Sequence, residues 1–194
     1  MAVWVCLLRA VNLGARNKVS MPVLRGVLEQ GGFDEVRTYV QSGNVIARSS
    51  HRSRERVAAL VSKAVAEHFG VDTPVVVRTP QELREVLDWN PFPDAAAQRP
   101  KLVQVCHLLA TPEPAGVESV LAADVPEQIA VRGEEVVVDY GQSIQGSKVT
   151  PAWLARRLGV ESTARNWRTL TALVEMTRTE RPRTAAPGSA RLRR

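Results

Sequence analysis

Residues 103–110, VQVCHLLA, repeat residues 3–10, VWVCLLRA, with five of eight positions identical at an offset of 100. Each run is short, apolar and rich in valine and leucine, the composition of a buried strand. The elements after each run repeat as well. After the first, Ser20 is a suitable N-cap for a helix that carries Met21, Leu24, Val27 and Leu28 on one face and stops at Gly31–Gly32. VRTYV (36–40) and NVIAR (44–48) are strands around the hairpin signal Ser42–Gly43. Ser53 opens a helix that Gly70 ends, and TPVVVRT (73–79) is a fourth strand. Thr79-Pro80-Gln81-Glu82 is a capping box with proline at the first helical position, so a short helix runs to about Asp88.

After the second run, Thr111-Pro112 opens a helix to about Ala123, and EQIAV and EVVVDY pair across Arg132–Gly133. Thr150-Pro151 opens a helix that Gly159 closes, and GVES (159–162) answers GVDT (70–73). The order is βαββαβ in the first half and restarts in the second. The expected fold class is α+β: two ferredoxin-like halves made by internal duplication, the second lacking a clear fourth strand. TARNWRT (163–169) stands where that strand belongs and is a poor one. Trp167, Leu170, Leu173 and Val174 instead mark one face of a helix starting near Thr163. The expected organisation is a first half over 1–90 and a linker over 91–100, with Trp89 and Phe92 of WNPFP packed into the joint. A second half over 101–177 and a disordered basic tail over 178–194 complete it.

With 44% hydrophobic residues the chain can bury a core, and its apolar runs are far shorter than a membrane span. No signal-peptide pattern opens it, so a cytoplasmic protein is expected. Cys6 and Cys106 both lie in strand runs and read as buried thiols. The net charge of +6 is concentrated in the tail, where residues 178–194 hold six arginines and one acid. Residues 1–177 carry 20 bases and 19 acids, unevenly: +5 over 1–60, −6 over 61–149 and +2 over 150–177. A basic face toward nucleic acid and ordinary solvated charge are both open readings.

The repeat is informative where it fails, because features of one copy alone are not demanded by the fold. After the first strand comes an Asn/Arg/Lys loop, RAVNLGARNK (9–18); after the second comes TPEPAG. In a split βαβ unit the first two strands run parallel, so this loop and the QSGN hairpin (41–44) emerge at one end of the sheet. Arg9, Asn12, Gly14, Arg16, Asn17, Lys18, Gln41, Ser42, Gly43 and Asn44 then supply amide donors, cations and open backbone beside a helix N-terminus, a suitable cradle for an anion. Equally, Asn12 and Asn17 can bond the loop's own backbone, with Gly14 making a left-handed turn. A second candidate is Arg165-Asn166-Trp167-Arg168, with Arg165 and Arg168 on phosphate or carboxylate and the indole stacked on a ring, or else with Trp167 in the core and the arginines capping neighbouring carbonyls or pairing with the acidic middle segment.

No metal spacing, nucleotide-loop signature or hydrolase motif occurs, so no cofactor and no metal are expected and no catalytic residue is nominated. Three functions are carried forward. The first is binding of an anionic ligand, a nucleotide or RNA. The second is an enzyme acting on a phosphorylated or acylated small molecule. The third is a homodimeric protein–protein module, the oligomeric state being open.

LLRAVNLGARNKVSM (7–21), TYVQSGNV (38–45), NPF (90–92) and TARNW (163–167), in this order, resemble the domain-of-unknown-function family numbered 1697, over roughly residues 1–176. The resemblance implies a bacterial-type cytoplasmic α+β protein with ferredoxin-like subdomains, and no activity. Its motifs fall on Arg9, Asn12, Gly14, Asn17, Lys18, Gln41–Asn44 and Arg165–Trp167. The family usually has glycine where this chain has Ala10 and Ala15, and often asparagine where it has Arg168.

Overall fold

The computed structural model describes residues 1–14 and 17–178. The first half runs β1 (Ala2–Leu8), α1 (Met21–Gln30), β2 (Asp34–Tyr39), β3 (Asn44–Ser49), α2 (Arg54–Phe69), β4 (Val75–Arg78) and α3 (Pro80–Trp89). A short helix, α4 (Pro93–Gln98), lies within the stretch expected to be a linker. The second half runs β5 (Val103–Leu108), α5 (Pro114–Leu121), β6 (Gln128–Arg132), β7 (Glu135–Asp139), α6 (Pro151–Leu158), β8 (Ser162–Asn166) and α7 (Trp167–Arg178). Both halves therefore have the order βαββαβα. The basic-tail reading, beyond Arg178, lies outside the described residues.

Each half forms a four-stranded antiparallel sheet, ordered β2-β3-β1-β4 and β6-β7-β5-β8. In both, the first strand of the half pairs with its third and fourth strands. β1 and β2 are thus parallel with β3 between them, which brings the loop after β1 and the β2–β3 hairpin to one end of the sheet.

The alternation of each central strand sorts the core into three layers. Cys6 and Leu8 face α1 and α2, where Leu24, Leu28, Val57 and Val61 meet them. Cys106 and Leu108 face α5 and α6 through Val120, Leu154 and Leu158. Between the sheets, Val5 and Leu7 on one side and Val103 and Val105 on the other enclose α3 and α7 through Leu83, Val86, Leu170 and Leu173. One apolar layer is shared by both halves. Trp89 and Phe92 pack against that layer, at the joint. Both cysteines are buried free thiols, and burial pushes each up to about 12.

The expectation for residues 163–169 needs correction. A fourth strand does exist in the second half: β8 pairs with β5 from Gln104↔Asn166 to Leu108↔Ser162, and α7 starts only at Trp167. The strand is unreadable from periodicity because Thr163 and Arg165, on one face, are buried through hydrogen bonds to the first half. Two smaller differences concern α5, which starts at Pro114 rather than beside Thr111, and α3, which runs to Trp89. The capping box is formed as expected, with Thr79 and Glu82 bonding each other's backbone N–H. Among the described residues, no helix is long and apolar enough to cross a membrane.

Candidate functional site

Duplication places one arginine at the same point of each half. Val5 faces Arg78 across the β1–β4 pair, and its repeat mate Val105 faces Arg165 across the β5–β8 pair. Each arginine reaches into the other half and donates to the same carbonyl of the repeated strand. Arg165 Nη2 donates to Leu8 O at 2.9 Å, and Arg78 Nη2 donates to Leu108 O at 2.8 Å. Each Nε then meets the first residue of the opposing third strand, Asn44 Oδ1 for Arg165 and Glu135 Oε1, at 2.8 Å, for Arg78. The molecule therefore has two equivalent joints, and their chemistry differs.

At the first joint, the three stretches that stand out in the sequence converge. Leu8 N–H donates to Gly43 O at 2.8 Å, and the Asn12 amide donates to Gln41 O at 2.7 Å and Val19 O at 2.9 Å. The Val19 N–H returns a bond to Asn12 Oδ1 at 2.9 Å, and Asn17 donates to Ala10 O at 3.1 Å. Asn44 is fully buried and donates to Tyr39 O and Ser42 Oγ, both at 3.0 Å. Arg165, 7% exposed, completes the joint with bonds to Thr163 Oγ1 and Ala164 O at 2.8 Å and to Ser42 O at 3.0 Å. Among the described residues all its partners are neutral oxygens. Burial lowers its pKa to about 10, which still leaves it charged near neutrality.

The amides expected to cradle an anion are thus largely spent on backbone carbonyls of the same loops and on the Ser42 hydroxyl. Facing outward are Lys18, Gln41 and Ser42, all exposed, and the half-exposed Arg9, which pairs with Glu161 at 3.4 Å and donates to Ser162 O at 3.2 Å. Gly14 has a left-handed φ of +64°. Arg16 lies outside the described residues. Asn166 does not reach this cluster: its Oδ1 accepts the Thr169 N–H at 2.8 Å and so caps α7. Trp167 is 7% exposed and packs in the layer between the sheets.

The first joint is also where non-glycine backbone is held in left-handed conformations. Ala10 (φ 52°), Asn12 (56°), Asn17 (52°) and Val40 (48°) flank it, four of the six such residues described. Asparagine tolerates this region, whereas alanine and above all β-branched valine do not.

Sequence reasoning misses the second joint. Here the connection after β5, residues 109–113, is much shorter than the loop over 9–20 and leaves the joint open as a cleft of about 300 Å³. Glu135 replaces Asn44 as the arginine's partner, and His107 stands where the first half has Leu7. His107 is fully buried, with Nδ1 2.6 Å from Glu135 Oε2. Burial opposes ionisation of Glu135, but His107 and Arg78 outweigh it and hold the carboxyl below its usual range. Arg54 links the halves by pairing with Glu82 and, at 2.8 Å, with Glu134. One signal for this site is present in the sequence: the repeated strand carries a histidine where its mate carries leucine. Among the described residues no three His, Cys, Asp or Glu side chains gather as a metal site.

Comparisons with known proteins bear on the fold and the family. A family model described as "Protein of unknown function (DUF1697)" matches residues 1–137, a span that ends before TARNW. No curated protein matches the chain. Among solved structures, the conserved bacterial protein SP0830 from Streptococcus pneumoniae is similar at a TM-score of 0.65 and 19% identity, with 90% of this chain and 97% of that one covered. At that identity the likeness concerns the fold alone.

Proposed function

The chain belongs to the DUF1697 family, and we propose that it is a binding protein for an anionic ligand, a nucleotide or a stretch of RNA, taken at the first joint. The ligand meets Lys18 and Arg9, with the exposed Gln41 and Ser42 of the hairpin beside them and Arg16 as a further cation of the same loop. The observation that carries this reading is the one-sided backbone strain. The second half turns the same corners of the same fold with no non-glycine residue at positive φ among those described. Each alanine or valine in that region costs about 1–2 kcal/mol, and strain that the fold does not demand concentrates where loops serve a ligand. The N-terminus of α1 adds support, since Ser20 stands at its cap without a side-chain bond to the first turn.

A thermal-shift series with nucleotides and short oligonucleotides tests the reading. Wild-type protein should gain about 2.7 kcal/mol at a hundredfold excess of ligand over its Kd, and an Arg16→Ala/Lys18→Ala variant should lose most of that gain. Equal stabilisation of the two proteins, or none of the wild type, rejects the site. Raising the salt separates RNA from a small ligand, because only the polyanion's affinity falls steeply as counterions are added back.

A further inference from the structure

We infer that the cleft at the second joint is a separate ligand site, built to seat a small molecule whose phosphate or carboxylate lies next to a flat ring, and that Glu134 occupies the anion seat in its absence. Two guanidiniums converge on one carboxylate there. Arg54 Nη1 donates to Glu134 Oε2 at 2.8 Å, and Arg78 Nη2 lies 3.2 Å from the same oxygen. Arg78 comes from β4 with its side chain only 3% exposed, and Arg54 from the first turn of α2. Neither side chain belongs to the half that carries Glu134.

The other carboxylates at this end are committed elsewhere. Glu82 accepts from the Thr79 N–H and hydroxyl and pairs with Arg54, so it completes a helix cap. Glu135 is engaged by Arg78 Nε at 2.8 Å and by His107. Glu85, at the rim, accepts from Gln81 at 2.9 Å. Glu134 differs because it sits on the hairpin tip after Gly133, whose φ is +57°, and its side chain can swing away without breaking a cap or a core contact. With Glu134 displaced, Arg54, Arg78 and Arg132 stand against Glu82, Glu85 and Glu135, an even balance that leaves room for the charge of an incoming anion.

The remaining wall suits a ring. Trp89 lines the cleft, and the Arg132 guanidinium lies over its indole at 5.6 Å from the ring centre. A planar group on that indole gains stacking and keeps the cation above it. A volume of about 300 Å³ fits a molecule of that size. The pseudo-symmetric position, the first joint, is built differently. Around Arg165 the end of β1 and the QSGN hairpin take up the guanidinium through Leu8 O, Ser42 O and Asn44 Oδ1, and Thr163 Oγ1 accepts from its Nη1; at Arg78 the matching residue of β4 is Val76, which offers no side-chain oxygen.

Calorimetric titration of the full chain with adenosine monophosphate, benzoate and inorganic phosphate tests the site. Glu134→Gln removes the charge that holds this side chain in the seat while keeping its size and shape, so an anion displaces it more easily, and the variant should bind the first two probes about tenfold more tightly than wild type. Arg54→Ala should abolish their binding. Phosphate alone should bind more weakly than adenosine monophosphate, and equal strength would overturn the ring wall. Should Glu134→Gln bind no probe more tightly than wild type, the anion seat is wrong. Binding kept in Arg54→Ala but lost in Arg16→Ala/Lys18→Ala would assign the ligand to the first joint and overturn the cleft as its site. The converse would leave the cleft standing and reject the loop.

Discussion

Arg165 illustrates how residue type and residue role part company. Its charge and its place beside asparagine and tryptophan suggest an anion contact, yet its guanidinium bonds Leu8 O, Ser42 O, Thr163 Oγ1, Ala164 O and Asn44 Oδ1. Removing such a side chain strands several buried oxygens at once. Arg165→Ala should therefore destabilise the protein by about 3 kcal/mol or more. Urea denaturation measures this, and a loss under about 1 kcal/mol would mean that water replaces the guanidinium freely. Asn12 and Asn44 belong to the same lesson. Their residue types announce hydrogen bonding, but whether an amide serves a ligand or the next loop depends on which carbonyl the fold brings near it.

At the scale of elements, those with ordinary signals are legible. The capping box at Thr79–Glu82, the glycine that ends α2 and the proline-led start of α6 are local devices, and each lies where its local chemistry puts it. β8 is not legible, because strand patterning assumes that an inward residue is apolar. The hairpin between β2 and β3 combines both cases. Gly43 is readable as a turn residue, with φ +72°, but its second constraint comes from the end of β1 and the loop after it: a Cβ there would stand 2.6 Å from Val11 Cγ2 and 2.7 Å from Leu8 Cβ. Gly43→Ala should thus cost about 2 kcal/mol, more than a solvent-facing left-handed glycine such as Gly70. Comparing the melting midpoints of Gly43→Ala and Gly70→Ala checks this; equal losses would show that only the φ angle matters.

At the scale of the whole molecule, two equivalent joints with different acceptors imply different responses to acid. Glu135 at the second joint has its folded pKa held below its ordinary value of 4.5, burial being outweighed by His107 and Arg78. A depressed carboxylate contributes stability that is complete above its unfolded pKa and disappears as pH falls through the folded one. Asn44, its counterpart at the first joint, does not titrate. Acidification below pH about 4.5 should therefore loosen the second joint first. Hydrogen-exchange protection reads the two separately, through Leu108 N–H bonded to Glu134 O and Leu8 N–H bonded to Gly43 O. Protection should fall first at Leu108, and Glu135→Gln should remove the difference. Loss of both together, in wild type and variant alike, would mean that the sheets separate as one unit.

By itself the sequence determined the duplication, the α+β class, most element ends and the stretches that meet at the first joint, because periodicity, caps and a split βαβ order are properties of neighbouring residues. Only the tertiary structure decided how the halves join. The layer shared by α3 and α7, the polar strand β8, the reciprocal grip of Arg78 and Arg165 and the open cleft beside Glu134 all depend on contacts across the two halves. Whether a buried arginine finds a carbonyl or a carboxylate, and whether a loop is long enough to cover it, is settled when two sheets meet.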